Sequence, residues 1–104
     1  MIETKYIPQE NADKLLDLLY KAKDLHSNVI FKVYDTEAHV INTRKPEKVI
    51  ESIDGGDEEL CVLFYDKEND LQLGGLGILP YEEDGIGFDC SCNDFMERLM
   101  NEKS

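Results

Sequence analysis

The sequence predicts an α+β protein with a mainly antiparallel sheet of about five strands packed by three helices. Three stretches place apolar residues at helical spacing, and five others are rich in β-branched and aromatic residues or alternate apolar with polar residues. The connections between neighbouring strands of each β run are too short for the crossover that parallel pairing requires. The predicted order of elements is therefore αββαβββα.

One domain accounts for the whole length of the chain. The 104 residues are enough to bury one core but too few for a second domain with a core of its own. A hydrophobic content of 41% and a charged content of 33% are typical of a folded protein with a heavily charged surface. We therefore expect residues 1–104 to form a single small acidic domain. Without a long apolar run or a signal-peptide pattern, a cytoplasmic location is expected.

The first predicted helix covers about Gln9 to His26. Apolar residues recur there at spacings of three and four, and either Asn11 or Gln9 is expected to cap the helix. Val29 to Tyr34 is β-branched and aromatic, which predicts a strand. A turn at residues 35–37 leads to a return strand from Ala38 to Asn42, so this pair is predicted to be a hairpin. The side chains that should share one face of the first strand are Val29, Phe31 and Val33.

A second helix and the centre of the sheet follow. Pro46 suits a first helical turn, which predicts a short helix from Pro46 to Ile53. Leu60 to Tyr65 is apolar on both faces, so it is expected to be a central strand. Leu71 to Leu79 is its predicted hairpin partner. The pair Gly74-Gly75 within that partner predicts a bulge or the close approach of another backbone.

The last strand and helix complete the predicted fold. Ile86 to Cys90 is expected to be a strand with Ile86, Phe88 and Cys90 on one face. Ser91 precedes Asp94 by three residues, which is the spacing of a capping box at the start of a helix. The apolar residues that follow predict a final helix that ends near Asn101.

No pattern typical of a catalytic site is present, so we do not expect an enzyme. His26 and His39 have no acid, nucleophile or second ligand at a diagnostic spacing. Residues 74–77 lack both the G-x-G-x-x-G spacing and a P-loop lysine. The run from Leu60 to Gly77 resembles the central hairpin of small acyltransferases of the acetyl-CoA type. The glycine-rich turn that leads into a helix in that family is missing, so no cofactor is expected.

The three cysteines are expected to be reduced, since they are odd in number and no secretory signal is visible. Cys61 lies in an apolar run, which predicts a core position. Cys90 and Cys92 form a CxC sequence, but a closed zinc site needs about four ligands and no second cysteine pair exists. No metal site is therefore predicted.

The negative charge is concentrated in the second half of the chain. The net charge at pH 7 is −12, from 11 Lys and Arg against 23 Asp and Glu. Residues 1–52 hold 8 basic and 9 acidic residues, a net charge of −1, whereas residues 53–104 hold 3 and 14, a net charge of −11. Such an excess repels nucleic acid and anionic membrane surfaces and attracts basic partners at long range.

These carboxylates favour a non-enzymatic inhibitor that binds a basic, nucleic-acid-binding protein. Duplex DNA presents one negative charge per about 1.7 Å of its axis, and rows of Asp and Glu on a folded scaffold can imitate it. We therefore predict a protein that occupies the nucleic-acid groove of a nuclease or defence protein, as in phage anti-restriction and anti-CRISPR proteins. The predicted partner-binding residues are Asp54, Asp57, Glu58, Glu59, Asp66, Glu68, Asp70, Glu82, Glu83, Asp84, Asp89, Asp94 and Glu97.

Three other interpretations of the function are compatible with the same acidic composition. An immunity protein or antitoxin would neutralise a nuclease toxin with the same surface, and a toxin gene immediately upstream would distinguish it from a phage protein. A small scaffold or regulatory module would instead bind through apolar contacts around Tyr65, Leu79 and Tyr81. An acidic surface that serves only solubility needs no partner at all.

Overall fold

The computed structural model describes residues 3–36, 38–91 and 93–101, and it confirms the predicted fold class and order of elements. Where the predicted bounds of α1 and the strands differ from those observed, they differ by a single residue. The elements are α1 (Gln9–Leu25), β1 (Val29–Tyr34), β2 (His39–Thr43), α2 (Pro46–Ile53), β3 (Leu60–Asp66), β4 (Leu71–Ile78), β5 (Ile86–Cys90) and α3 (Asp94–Asn101).

The strands form one antiparallel sheet in the order β2-β1-β3-β4-β5. β3 is the central strand, as its apolar sequence predicts. The hairpins β1–β2 and β3–β4 are joined by the pairing of β1 with β3, in which Phe31 lies opposite Phe64. β2 and α2 lie between β1 and β3 in the sequence, so this pairing joins residues that are distant along the chain.

All three helices pack on one face of the sheet. Alternate residues of β1 and β3 are buried there, and the rings of Phe31 and Phe64 meet edge to face with their centroids 5.8 Å apart. Leu15 and Leu19 of α1, Ile50 of α2 and residues of α3 complete a single core. In the part of the chain that the structure describes, the opposite face of the sheet carries no helix. None of the described helices has the length and apolar character needed to cross a membrane.

The predicted bulge in β4 is confirmed. Gly74, which lies beside it, allows α3 to pack closely on the sheet. The register of β3 with β4 shifts between Phe64 and Tyr65. A Cβ atom on Gly74 would lie 2.5 Å from the Cγ and Sδ atoms of Met96 in α3. Only glycine leaves enough space at this position, so α3 packs directly against the backbone of β4.

The predicted helix caps are wrong, because Asn11 and Ser91 make other hydrogen bonds. Pro8 occupies the N-cap position of α1, and no side chain caps that helix. Asn11 is buried and instead donates hydrogen bonds to the turn between β4 and β5. At α3 the cap is Asn93, whose Oδ1 accepts from the amide of Met96 at 2.9 Å. The amide of Ser91 donates to the carbonyl of Gly75 and so extends the β4–β5 pairing.

The prediction that Ile86, Phe88 and Cys90 share one face is also wrong. The register of β4 with β5 shifts between Gly77 and Ile78, and Gly87 has a φ of +84°, which favours glycine. Ile86 remains in the core, whereas Phe88 is 48% exposed and its ring lies beside Gly77 on the helix-free face. Cys92 falls outside the described residues.

Candidate functional site

Two of the three predicted acidic loops lie at the same end of the sheet. Residues 54–59 lead into β3 and residues 79–85 join β4 to β5. Because Leu60 pairs with Ile78 and Ile78 pairs with Ile86, both loops leave the sheet at one end. The hydroxyl of Tyr81 connects them, since it donates to the carbonyl oxygens of Ile53 at 3.3 Å and Gly56 at 3.0 Å.

A carboxylate missing from the predicted set joins these loops. Asp35 follows β1 directly, and Tyr34 pairs with Cys61 near the start of β3. Partial desolvation, a hydrogen bond that the protonated Asp57 carboxyl donates to the neighbouring Asp35 carboxylate, and repulsion between the two charges raise the pKa of Asp57 above its usual value. Two carboxyl groups therefore lie within hydrogen-bonding distance of each other. We call this set the acidic end: Asp35, Asp57, Glu58, Glu59, Glu82, Glu83 and Asp84.

Hydrogen bonds from α1 hold the loop that contains residues 82–84. The side-chain amide of Asn11 donates to the carbonyl oxygens of Pro80 at 2.9 Å and Glu82 at 2.8 Å. Within the loop, the amide of Leu79 donates to the carbonyl of Gly85 at 2.9 Å. These bonds fix the backbone, so the three carboxylates extend from a rigid turn while their side chains remain exposed.

Asp54 lies next to the acidic end but has a structural role. Its carboxylate accepts hydrogen bonds from the backbone amides of Lys5 at 2.7 Å, Tyr6 at 2.9 Å and Ile7 at 3.0 Å. Burial raises the pKa of Asp54, but these hydrogen bonds outweigh it and hold the pKa below its usual value. The oxygens of Asp54 therefore tie the segment before α1 to the end of α2.

The third predicted loop lies at the opposite end of the sheet. Asp66 is buried at the end of β3 and contacts His26, which directly follows α1. Asp70 forms an ion pair with Lys32 of β1 at 3.2 Å. Glu68 is exposed in the β3–β4 turn. These residues are separated from the acidic end by the length of the strands, so the predicted carboxylates form two groups on the sheet.

The remaining predicted residues lie between or beside these groups. Asp89 pairs with Gly77 in the middle of the β4–β5 ladder and is exposed. Asp94 and Glu97 are exposed in the first turn of α3, where negative charge stabilises a helix. Of the apolar alternatives, Tyr65 and Tyr81 direct their hydroxyl groups to hydrogen bonds within the chain.

Among the described residues, the carboxylates of residues 57–59 and 82–84 form no ion pair. The ion pairs in that part of the chain join His26 to Asp66, Lys32 to Asp70 and Lys48 to Glu51. In the same described ranges, no three side chains of the His, Cys, Asp or Glu type are arranged to hold a metal ion. The acidic end is thus a negatively charged surface on a fixed backbone.

Sequence reasoning missed Asp35 because its place depends on the pairing of β1 with β3. The turn chemistry of residues 35–37 was visible, but the strand that lies beside β1 was not. Comparison with protein-family models, with curated proteins and with solved structures gives no match, so the functional argument depends on the residues of this chain alone.

Proposed function

We propose that this protein is a non-enzymatic inhibitor that binds a basic, nucleic-acid-binding protein through the acidic end. The observation that carries the proposal is the convergence of residues 57–59, residues 82–84 and Asp35 at one end of the sheet. Their carboxylates are held on a rigid backbone and, among the described residues, residues 57–59 and 82–84 form no ion pair. A preformed negative surface whose loop carboxylates form no ion pair binds a cationic groove without first breaking such pairs.

Charge repulsion at this surface supports the same interpretation. Partial desolvation and the nearby Asp35 carboxyl raise the pKa of Asp57, and the second of these causes means that the two carboxyl groups oppose each other's ionisation. A basic partner would relieve that repulsion, so binding and ionisation of the cluster favour each other. Fast association that weakens with salt is expected, because long-range attraction steers the two proteins together.

In this proposal, the protein binds its partner in the cytoplasm. It acts as a phage anti-defence protein, and the partner is a restriction or CRISPR nuclease. An immunity protein or antitoxin would use the same surface against a nuclease toxin. The neighbouring gene distinguishes the two settings, because a toxin gene immediately upstream would indicate an immunity protein or antitoxin. In either case, the inhibited activity is the binding of nucleic acid by the partner.

Two variants of equal charge test the proposal. The first removes six carboxylates from the acidic end, and the second removes six from the N-terminal half, so both have a net charge of −6 instead of −12. The first carries D57N, E58Q, E59Q, E82Q, E83Q and D84N. The second carries E3Q, E10Q, D13N, D17N, D24N and E51Q.

The assay has two steps. Affinity purification from the native host identifies the partner, and competition with labelled duplex DNA then measures whether the protein displaces nucleic acid from it. We expect wild type and the N-terminal variant to displace DNA, and the acidic-end variant to lose at least about tenfold in affinity. Wild-type affinity should fall steeply between about 50 and 500 mM salt. The proposal would be refuted if the captured partner were neutral and its binding did not depend on salt. It would also be refuted if both variants lost affinity equally.

A further inference from the structure

The helix-free face of the sheet contains a groove next to the acidic end. It has a volume of about 400 Å³ and runs over β3, β4 and β5. This face is partly exposed along β1 and β3, and the described residues place no other element over it. Its lining includes the apolar side chains of Leu63 and Phe88 and the thiol of Cys61.

Two glycines lie beneath the side chains that border this groove. Gly75 pairs with Leu63 and Gly77 pairs with Cys61, so both glycines lie on the helix-free face. A Cβ atom on Gly77 would lie 3.1 Å from Cε1 of Phe88, closer than ordinary contact. Gly75 is buried beneath Leu63 and Ser91, and Gly77 lies beneath the ring of Phe88, so the side chains of Cys61 and Leu63 form the floor of the groove beside that ring. An extended side chain of another molecule fits such a floor.

The rim of the groove is negatively charged. Asp35 and Glu59 of the acidic end line it, and Asp89 lines it from β5. Among the described residues that line it, there is no Lys or Arg. Lys32 lies on the same face, but its Nζ is 3.9 Å from the centre of the Tyr65 ring and bound to Asp70 towards the other end. An anionic ligand or nucleic acid is therefore repelled from the groove.

The cysteine in the floor adds no charge of its own. Burial, together with the Asp89 carboxylate, raises the pKa of Cys61 above its usual value. The thiol therefore stays protonated at neutral pH and contributes a small, apolar surface. The floor is apolar and the rim is anionic, a combination that suits a cation with an apolar stem.

We propose that the groove receives an arginine side chain on an extended segment of the partner protein. The alkyl stem would lie on Cys61 and Leu63, the guanidinium group would stack against Phe88, and the carboxylates of the rim would accept its hydrogen bonds. Arginine suits this site better than lysine, because its planar group both stacks on aromatic rings and binds carboxylates in a fork. A second copy of this chain is disfavoured, since it would bring the same negative rim and a net charge of −12.

This inference rests on the proposed function, because it names the chemistry of the partner at that same end of the sheet. The probe is a short capped peptide with one central arginine between serine and threonine residues. Its matched control carries citrulline, which has nearly the same shape but no charge. Binding is followed by two-dimensional ¹⁵N NMR of the whole chain, where each backbone amide reports on its own surroundings.

We expect the arginine peptide to shift the amide signals of Gly75, Gly77 and Phe88, and the citrulline peptide to bind at least about fivefold more weakly. The variants F88A and F88L should each weaken binding about fivefold or more, since F88L keeps an apolar side chain and loses only the ring. D89N should also weaken it. The control D17N, on the exposed side of α1, should bind within about twofold of wild type.

Three results would overturn the inference: shifts confined to the acidic loops, wild-type affinity in both Phe88 variants, or equal binding of the citrulline peptide. Agmatine is a free guanidinium compound that tests for a small-molecule occupant, and binding as tight as that of the peptide would also overturn it. If the acidic-end variant loses the partner while F88L keeps it, the groove is wrong and the inhibitor proposal stands. If the peptide binds as expected but no basic partner exists, the inhibitor proposal fails and the groove stands.

Discussion

The Oδ2 atom of Asp66 lies 2.8 Å from Nε2 of His26, and this contact joins the end of α1 to the turn between β3 and β4. The other oxygen accepts hydrogen bonds from the backbone amides of Glu68 at 2.8 Å and Asn69 at 3.0 Å. The amide of Asn69, followed by the side chain of His26, holds the pKa of Asp66 below its usual value. One carboxylate therefore closes a hairpin turn and anchors a helix.

Replacement of Asp66 by alanine should destabilise the fold at neutral pH, with a melting temperature lower by roughly 5 °C or more. The folded pKa is depressed, so this stabilisation is present above the unfolded pKa of about 3.9 and is lost as pH falls through the folded value. The difference between wild type and D66A should therefore close below about pH 4. Thermal unfolding between pH 2 and 7 measures it. E68A, in the same turn but exposed, should melt close to wild type, and identical behaviour of the two variants would contradict this role.

Much of the fold follows from local patterns in the sequence. The apolar run of β3 predicts its central place, and Pro46 marks the start of α2 at the observed residue. Periodicity and turn chemistry act within a few residues, so they define elements well. The bulge in β4 is visible for the same reason, as Gly74 and Gly75 interrupt an otherwise regular strand.

The arrangement of the site depends on contacts that local patterns do not encode. The pairing of β1 with β3 places Asp35 beside Asp57, although α2 and β2 separate them in sequence. The side chain of Asn11 has the chemistry of a cap, but a buried contact with Pro80 engages it instead. Both outcomes are decided by how the helices pack on the sheet. The sequence therefore predicts that an acidic surface exists, but it predicts only some of the residues that form it.

Gly74 should not tolerate a side chain. In G74A the new Cβ would lie 2.5 Å from Met96, so the free energy of unfolding should fall by about 1–3 kcal/mol. Urea denaturation measures this loss. In an M96A background the same substitution should cost less, because the colliding atoms are gone, and a double-mutant cycle gives the coupling. G75A is the matched control, since its Cβ would meet the end of Leu63 at 3.1 Å and the hydroxyl of Ser91 at 3.3 Å, both looser than the contact at Gly74. Equal losses for G74A in both backgrounds would place the strain elsewhere.

Asn11 should control the rigidity of the turn that carries residues 82–84. N11A leaves the carbonyl oxygens of Pro80 and Glu82 without their donor in a buried place, so we expect a loss of about 1–3 kcal/mol in the free energy of unfolding. The amides of Leu79 and Gly85 should also exchange hydrogen faster than in wild type. K14A, exposed on the same helix, is the control and should change neither quantity. Unaltered exchange in N11A would mean that the turn is rigid by itself.

Asp57 should oppose folding at neutral pH, because partial desolvation and the neighbouring Asp35 carboxyl both disfavour its charged form. Its folded pKa is raised, so the folded state binds the proton more tightly than the unfolded state does. The ionised form therefore lowers stability as pH rises above the unfolded pKa of about 3.9, and no difference remains below that range. D57N removes the charge and keeps the shape. We expect its melting temperature at pH 7 to exceed that of wild type by about 1–3 °C at low salt.

Salt and a neighbouring variant separate this repulsion from other effects of the substitution. The advantage of D57N should shrink as salt rises, because screening weakens the repulsion in wild type. E58Q removes one charge from the adjacent residue and should raise the melting temperature less, since the Asp35 carboxyl bonds to Asp57. Thermal unfolding of the three proteins at pH 3 and pH 7, in low and high salt, provides the comparison. A D57N protein less stable than wild type at pH 7 would show that the two carboxyl groups attract through a shared proton, and the acidic end would then be less charged than its composition implies.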